Sequence, residues 1–94
     1  MPEYLEQLRG LLTRYSVRSG DFVLASGQRS SLYVDAKLTT CRAAATRLVG
    51  RAFLEKMRQR GWRPAAIGGL SMGADPIAIA VARESLDWDF RIDA

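Results

Sequence analysis

The chain is 94 residues long, enough for one small domain or one piece of a larger one, and about half of it is apolar, which marks it as globular and not as a disordered tail. Its net charge of +4 comes mainly from arginines scattered along the chain, which suits phosphate ligands, whereas no basic run with interleaved aromatics points to nucleic acid. There is no histidine, so the commonest general base and every triad built on it are excluded, and any chemistry must rest on carboxylates, lysine, backbone amides or a bound metal.

Between Pro2 and about Ser16, Leu5, Leu8, Leu12 and Tyr15 recur at helical spacing, with Glu3 and Glu6 near the start and Arg9 and Arg14 towards the end. The pattern predicts an amphipathic helix whose charges match its dipole. Such an acidic start is unlike a signal peptide, and no apolar run approaches the ~20 residues of a transmembrane helix, so the chain reads as a soluble cytoplasmic protein with no membrane partner. Arg18-Ser19-Gly20 is expected to stop the helix. Asp21 to Ala25 then alternates, Phe22 and Leu24 on one face and Val23 and Ala25 on the other, as a strand does.

The run Ser26-Gly27-Gln28-Arg29-Ser30-Ser31 reads as a polar turn, after which Leu32, Val34 and Ala36 alternate with Tyr33, Asp35 and Lys37 in a second strand, antiparallel to the first. The side-chain period of two places Tyr33, Asp35 and Lys37 on one face, which is either a solvated surface under a covering tyrosine or a stacking platform for a planar ligand. Thr39 and Thr40 can cap the next helix, from about Cys41 to Arg60 and ended by Gly61. Its buried stripe is expected to be Leu48, Val49, Ala52, Phe53 and Met57, with Arg47, Arg51, Glu55 and Arg58 in water. The lone Cys41 has no second cysteine and no histidine to pair with, which fits a reducing compartment, and it reads as a small buried hydrophobe.

Trp62-Arg63-Pro64 leads into a short apolar strand, Ala65 to Ile67, followed by Gly68, Gly69 and Leu70 and a loop opening at Ser71, Met72 and Gly73. Asp75 as N-cap and Pro76 at the first helical position mark the start of another helix. From Ile77 to Ala82 that helix is apolar on every side, which requires protein cover all round. Strand, small-residue turn and helix N-terminus together present unpaired N–H groups and a positive dipole end to an anion, although a carboxylate at Asp75 would repel a phosphate unless a cation lies between them. Phe90, Ile92 and Ala94 alternate as a last strand. Helix, strand, loop, helix and strand make the rhythm of a parallel α/β sheet, and since two parallel strands cannot surround an apolar helix, the sequence reads as the first half of a domain.

Two stretches carry a family resemblance. DFVLASGQRSSLYVD, Asp21 to Asp35, and IGGLSMGADPIA, Ile67 to Ala78, stand in an order and spacing that resemble the orotate phosphoribosyltransferases, and the likeness covers essentially the whole chain. It implies the N-terminal half of a type I phosphoribosyltransferase fold, an α/β parallel sheet flanked by helices, with residues 1–38 forming an N-terminal helix and hood hairpin and residues 39–94 the first part of the core. It also implies Mg²⁺-dependent transfer of ribosyl 5-phosphate from phosphoribosyl diphosphate to orotate in pyrimidine synthesis, by a homodimer. Under it, Tyr33 and Val34 match the hood pair against the orotate ring, Ser71, Met72 and Gly73 match the loop around the pyrophosphate, and Ala25, Ser26 and Gly27 are possible hood contacts. The chain departs from some members at Ala25 and at Gly73, where they carry lysine, so phosphate binding would lean on backbone amides and on cations elsewhere. The resemblance puts the catalytic lysine loop and the ribose-phosphate motif downstream of Ala94, so these 94 residues alone are expected to be inactive, with neither a catalytic residue nor a metal ligand. Another phosphoribosyltransferase acting on a purine or a free base, or a ligand sensor on the same fold, would share the loop.

Overall fold

The amphipathic start of the chain forms α1 (Glu3–Tyr15), with Glu3 and Glu6 in its first turn and Arg14 in its last, a charge order that complements the helix dipole. Its stripe is half-buried, and Leu8 and Leu11 pack against Ala45, Val49 and Ala80 of the core. The coordinates are a computed structural model that describes residues 1–94.

Strands β1 (Val17–Val23) and β2 (Arg29–Val34) pair antiparallel, Val17 opposite Val34 at the base and Val23 opposite Arg29 near the tip. Both begin earlier than the sequence pattern suggests. Arg18-Ser19-Gly20, expected to break the chain, lies inside β1, and an irregularity between Ser19 and Phe22 gives β1 one more residue than β2 over the same stretch. A bulge of this kind accommodates Gly20 and Asp21 without ending the pairing. The turn is correspondingly tight: Leu24 N–H donates to Gln28 O at 2.8 Å and Gly27 N–H to Leu24 O at 2.8 Å, with Gly27 at φ 87°, a left-handed conformation that glycine adopts without strain.

After Val34 the expected strand does not continue to Lys37. The Asp35 carboxylate accepts a hydrogen bond from Lys37 N–H at 3.2 Å, and the chain turns into the short helix α2 (Lys37–Thr40). Thr39 and Thr40 therefore cap nothing; both are buried, and Thr39 Oγ1 bonds to the Ser16 hydroxyl and donates to Leu11 O at 3.3 Å. Cys41, expected in the core, is exposed, because it follows α2 at the surface.

Helix α3 (Ala43–Arg60) ends as expected at Gly61, whose φ of 70° lets the chain leave the helix in the left-handed conformation. Its buried positions are Ala45, Val49, Gly50, Leu54 and Met57, whereas Leu48 and Ala52 are half-buried and Phe53 is 42% exposed. The helices that pack on α3 are α1, α2 and α4 (Ser71–Ser85), and Phe53 lines a groove with Ala74, Ile77 and Ala78 of α4 that leaves its ring partly uncovered. The α3–α4 crossing is close because of Gly50: a Cβ there would lie 2.6 Å from Ala80 O and 2.7 Å from Glu84 Cβ.

The second part of the core joins Leu54, Met57, Val81 and Ile92, with Ile67, Ile77, Trp88 and Phe90 against them. The two short apolar segments expected as parallel strands do meet in parallel. They make one bridge, Ala66 with Asp93, through Ile67 N–H to Asp93 O at 2.8 Å and Asp93 N–H to Ala65 O at 3.0 Å. The buried Ser85 hydroxyl accepts from Ile92 N–H at 3.0 Å and donates to Ala82 O at 2.7 Å, which fastens the last segment to α4. Cover around α4 is one-sided within this chain, since Ile79 is 62% exposed. No helix is long and apolar enough to cross a membrane.

Candidate functional site

The stretch from Gly68 to Asp75 takes a different form from the one its punctuation suggests. Helix α4 starts at Ser71, five residues before Pro76, so Pro76 lies inside the helix and Asp75, expected as the N-cap, makes no capping bond. The cap position is Leu70, extended at φ −79° and ψ 125°. Ser71 is held at φ 60°, a conformation that costs a non-glycine residue about 1 kcal/mol or more. The first-turn N–H groups, Ser71 to Ala74, have no acceptor within the helix and stand at its positive end. Gly69 is the glycine that packing requires: a Cβ there would sit 2.5 Å from Ala74 Cβ, so the strand end closes directly onto the first turn. Gly73 has open space around it, with nothing within 4 Å of an added Cβ.

A cavity of about 580 Å³ runs beside this turn, between α2 and α4. Met72, Asp75, Ile79 and Arg83 line it from α4, and Lys37 and Thr40 from α2. The α4 residues follow helical spacing, so they share a face only because the helix starts at Ser71. With the helix placed from Pro76 onward, Met72 and Asp75 fall outside the pattern, and that is why Arg83 escapes a reading of the sequence. Lys37 escapes it for a parallel reason: the Asp35 turn carries it off the hairpin face and into α2.

Each cation has a carboxylate partner, Lys37 Nζ with the half-buried Asp35 at 3.8 Å and Arg83 with the exposed Asp87 at 3.6 Å. Surface pairs of this kind are worth about 0–1 kcal/mol, so both cations remain available to an anion entering the cavity. Buried Thr40 Oγ1 has no hydrogen-bond partner. No three His, Cys, Asp or Glu side chains converge on a metal-sized site.

The hairpin holds the second group of candidate residues. Tyr33 is 44% exposed, its ring 5.6 Å from that of Phe22 and tilted by 36°, which leaves a flat, partly uncovered aromatic surface. Val34 is 57% exposed beside it. Neither lines the cavity, whose nearest residue in sequence is Lys37. Ala25, Ser26 and Gly27 lie at the exposed hairpin tip, at the opposite end from the base that joins α2. The structure thus groups Ser71, Met72 and Gly73 at one helix end, and Tyr33 with Val34 on the hairpin, with α2 linking the two.

No protein-family model matches the chain. It is 43% identical over 77 residues to the orotate phosphoribosyltransferase of Thermosynechococcus vestitus, an alignment covering 82% of this chain and 39% of the relative, and 40% identical over 77 residues to that of Mycobacterium avium, covering 82% and 42%. The chain spans about two fifths of the length of the curated relatives it matches. Among solved structures, the Mycobacterium tuberculosis orotate phosphoribosyltransferase in complex with Fe(III) dicitrate superposes with a TM-score of 0.77 at 35% identity, covering 99% of this chain and 50% of that one. A phosphoribosyltransferase from Corynebacterium diphtheriae gives a TM-score of 0.79 at 28% identity, covering 98% and 49%. In sequence and in fold, over more than four fifths of its length, the chain matches the N-terminal portion of the orotate phosphoribosyltransferase family.

Proposed function

We propose that this chain is the part of an orotate phosphoribosyltransferase that binds orotate and the diphosphate of phosphoribosyl diphosphate, in an enzyme that joins ribosyl 5-phosphate to orotate and releases pyrophosphate. The observation that carries the proposal is the likeness to the Mycobacterium tuberculosis orotate phosphoribosyltransferase solved with 5-phospho-α-D-ribosyl 1-diphosphate, at 36% identity and a TM-score of 0.68 over 85% of this chain. In this reading residues 1–38 act as the hood and residues 39–94 as the first part of the core.

The transition state of such a transfer gathers positive charge on the ribose and negative charge on the departing diphosphate. Positioning and electrostatics do the work, which suits a chain without histidine. The exposed face of Tyr33, with Val34, lies against the planar pyrimidine, and Ala25, Ser26 and Gly27 at the hairpin tip are further contacts of the hood. Ser71, Met72 and Gly73 offer the diphosphate their backbone at the positive end of α4. Lys37 and Arg83, on the wall of the adjoining cavity, supply the side-chain cations that Ala25 and Gly73 do not. Asp75, at the same turn, would tolerate the diphosphate where a cation such as Mg²⁺ bound with the substrate screens its charge. The enzyme works as a homodimer in the cytoplasm.

The test is turnover. The full-length protein with Mg²⁺, phosphoribosyl diphosphate and orotate should consume orotate, followed by its ultraviolet absorbance, and form orotidine 5′-phosphate. Turnover of a purine base with none of orotate would overturn the assignment.

A further inference from the structure

Among the helices, α1 is the one whose backbone comes close to the hairpin strands; α3 and α4 stay farther away. The orientation of the hairpin is therefore decided at its base. There Ser16, between α1 and β1, accepts a hydrogen bond through its carbonyl from Asp35 N–H at 3.0 Å, which closes the hairpin just beyond the Val17–Val34 pair. Its hydroxyl meets the hydroxyl of Thr39 on α2, and Thr39 Oγ1 in turn lies 3.3 Å from Leu11 O in α1. Ser16 and Thr39 are both fully buried.

The donors can be assigned by counting protons. A hydroxyl has one proton to give, and a carbonyl oxygen has none, so the Thr39 proton goes to Leu11 O and the Ser16 proton goes to Thr39 Oγ1. The result is a single directed chain, Ser16 to Thr39 to Leu11, that ties both strands of the hairpin and α2 to the last turns of α1. Beside it the Arg42 guanidinium lies over the Tyr15 ring at 3.5 Å, clamping the start of α3 to the same place. A hairpin of this length reaches about 20 Å from base to tip at ~3.3 Å per residue, so a tilt of roughly 10° at the base moves the tip by about 3 Å and a ring near the base by about 1 Å.

We propose that the buried Ser16–Thr39 hydroxyl pair is the pivot that sets the angle of the hairpin, making both residues positioning residues for the planar substrate that Tyr33 faces. The inference rests on the reading of Tyr33 as the orotate contact. Neither residue touches substrate. Their effect passes through the hairpin, and a shift of about 1 Å at a positioning group is enough to be felt in binding and rate.

The experiment compares Thr39→Val, which keeps the shape and removes the hydroxyl, with Thr39→Ser, which keeps the hydroxyl, in the full-length protein. Amide hydrogen exchange and steady-state kinetics are read together. Thr39→Val should speed exchange of the β1 and β2 amides about tenfold or more while the α3 amides stay within about twofold, the signature of local and not global opening. The Michaelis constant for orotate should rise about tenfold, that for phosphoribosyl diphosphate should stay within about twofold, and Thr39→Ser should restore both. Should Thr39→Val not fold, Ser16→Ala, which leaves the Thr39 to Leu11 bond in place, carries the same comparison. Unchanged hairpin exchange, hairpin and α3 amides quickening together, or both Michaelis constants rising in parallel would each overturn the pivot. If the wild-type protein does not use orotate, the assignment of function fails, and the pivot stands or falls on the exchange pattern alone.

Discussion

Placing one methyl group on Gly50 tests the close packing of α3 against α4. In an open helix the change from Gly to Ala stabilises by about 0.5–1 kcal/mol, because the unfolded chain loses freedom. At Gly50 the new Cβ would sit 2.6 Å from Ala80 O and 2.7 Å from Glu84 Cβ, well inside the ~3.5–4.0 Å at which carbon atoms attract. Two of the three nearest atoms are α4 backbone, so no rotamer change relieves the clash and the helices must separate. Overpacking of this sort costs about 1–3 kcal/mol, and subtracting the propensity gain leaves a net loss of up to about 2.5 kcal/mol. Gly10 in α1 is the control, with nothing within 4 Å of an added Cβ, and Gly10→Ala should gain its full 0.5–1 kcal/mol or so. At about 4–8 °C per kcal/mol for a small domain, the two variants should fall on opposite sides of the wild type in thermal melting and in urea midpoint, with unchanged m. If Gly50→Ala is as stabilising as Gly10→Ala, α3 and α4 do not meet closely at that residue, and the crossing argued from that contact fails with it.

Three further outcomes are expected of the full-length protein. Tyr33→Ala should weaken orotate binding by about 0.5–1.5 kcal/mol with little change in stability; unaltered affinity would make Tyr33 a surface cover for Phe22 and nothing more. Gly73 has open space around an added Cβ, so Gly73→Val should fold, yet it fills the approach to the first turn of α4, and the Michaelis constant for phosphoribosyl diphosphate should rise much more than that for orotate; equal movement of the two would mean that the diphosphate lies elsewhere. Ser85→Ala removes the buried acceptor of Ile92 N–H and should cost about 1–3 kcal/mol, with Ile92 exchange accelerated; a neutral result would show that the last segment is held by its apolar contacts alone.

What local chemistry governs could be read from the residues in order. The stripe and charges of α1, the stop at Gly61 and the hairpin around Ser26 and Gly27 all follow from periodicity and turn chemistry. Nothing distant opposes them. The two motifs that carry the family likeness are likewise contiguous in sequence. Other features are settled by contacts between segments far apart in the chain. Asp35 and Lys37 alternate like strand residues, yet the Asp35 side chain bonds Lys37 N–H and begins α2, because Thr39 gains a buried partner in Ser16, 23 residues away. Asp75-Pro76 is a strong helix start by local rules, yet α4 begins at Ser71, where Gly69 closes onto Ala74. That choice, made by packing, is what brings Met72, Asp75 and Arg83 onto one cavity wall opposite Lys37. Phe53 and Ile79 carry equally apolar side chains, and only the positions of the neighbouring helices leave them exposed while Leu54 and Ala80 are buried. The sequence by itself determined α1, the hairpin turn, the end of α3 and the chemistry of the two motif stretches, since these depend on neighbours within a few residues. Their placement, with the Ser16–Thr39 bond at the hairpin base and Gly50 at the helix crossing, was decided only in the tertiary structure, because burial and hydrogen-bond partners across the chain outweigh local preferences of about 1 kcal/mol.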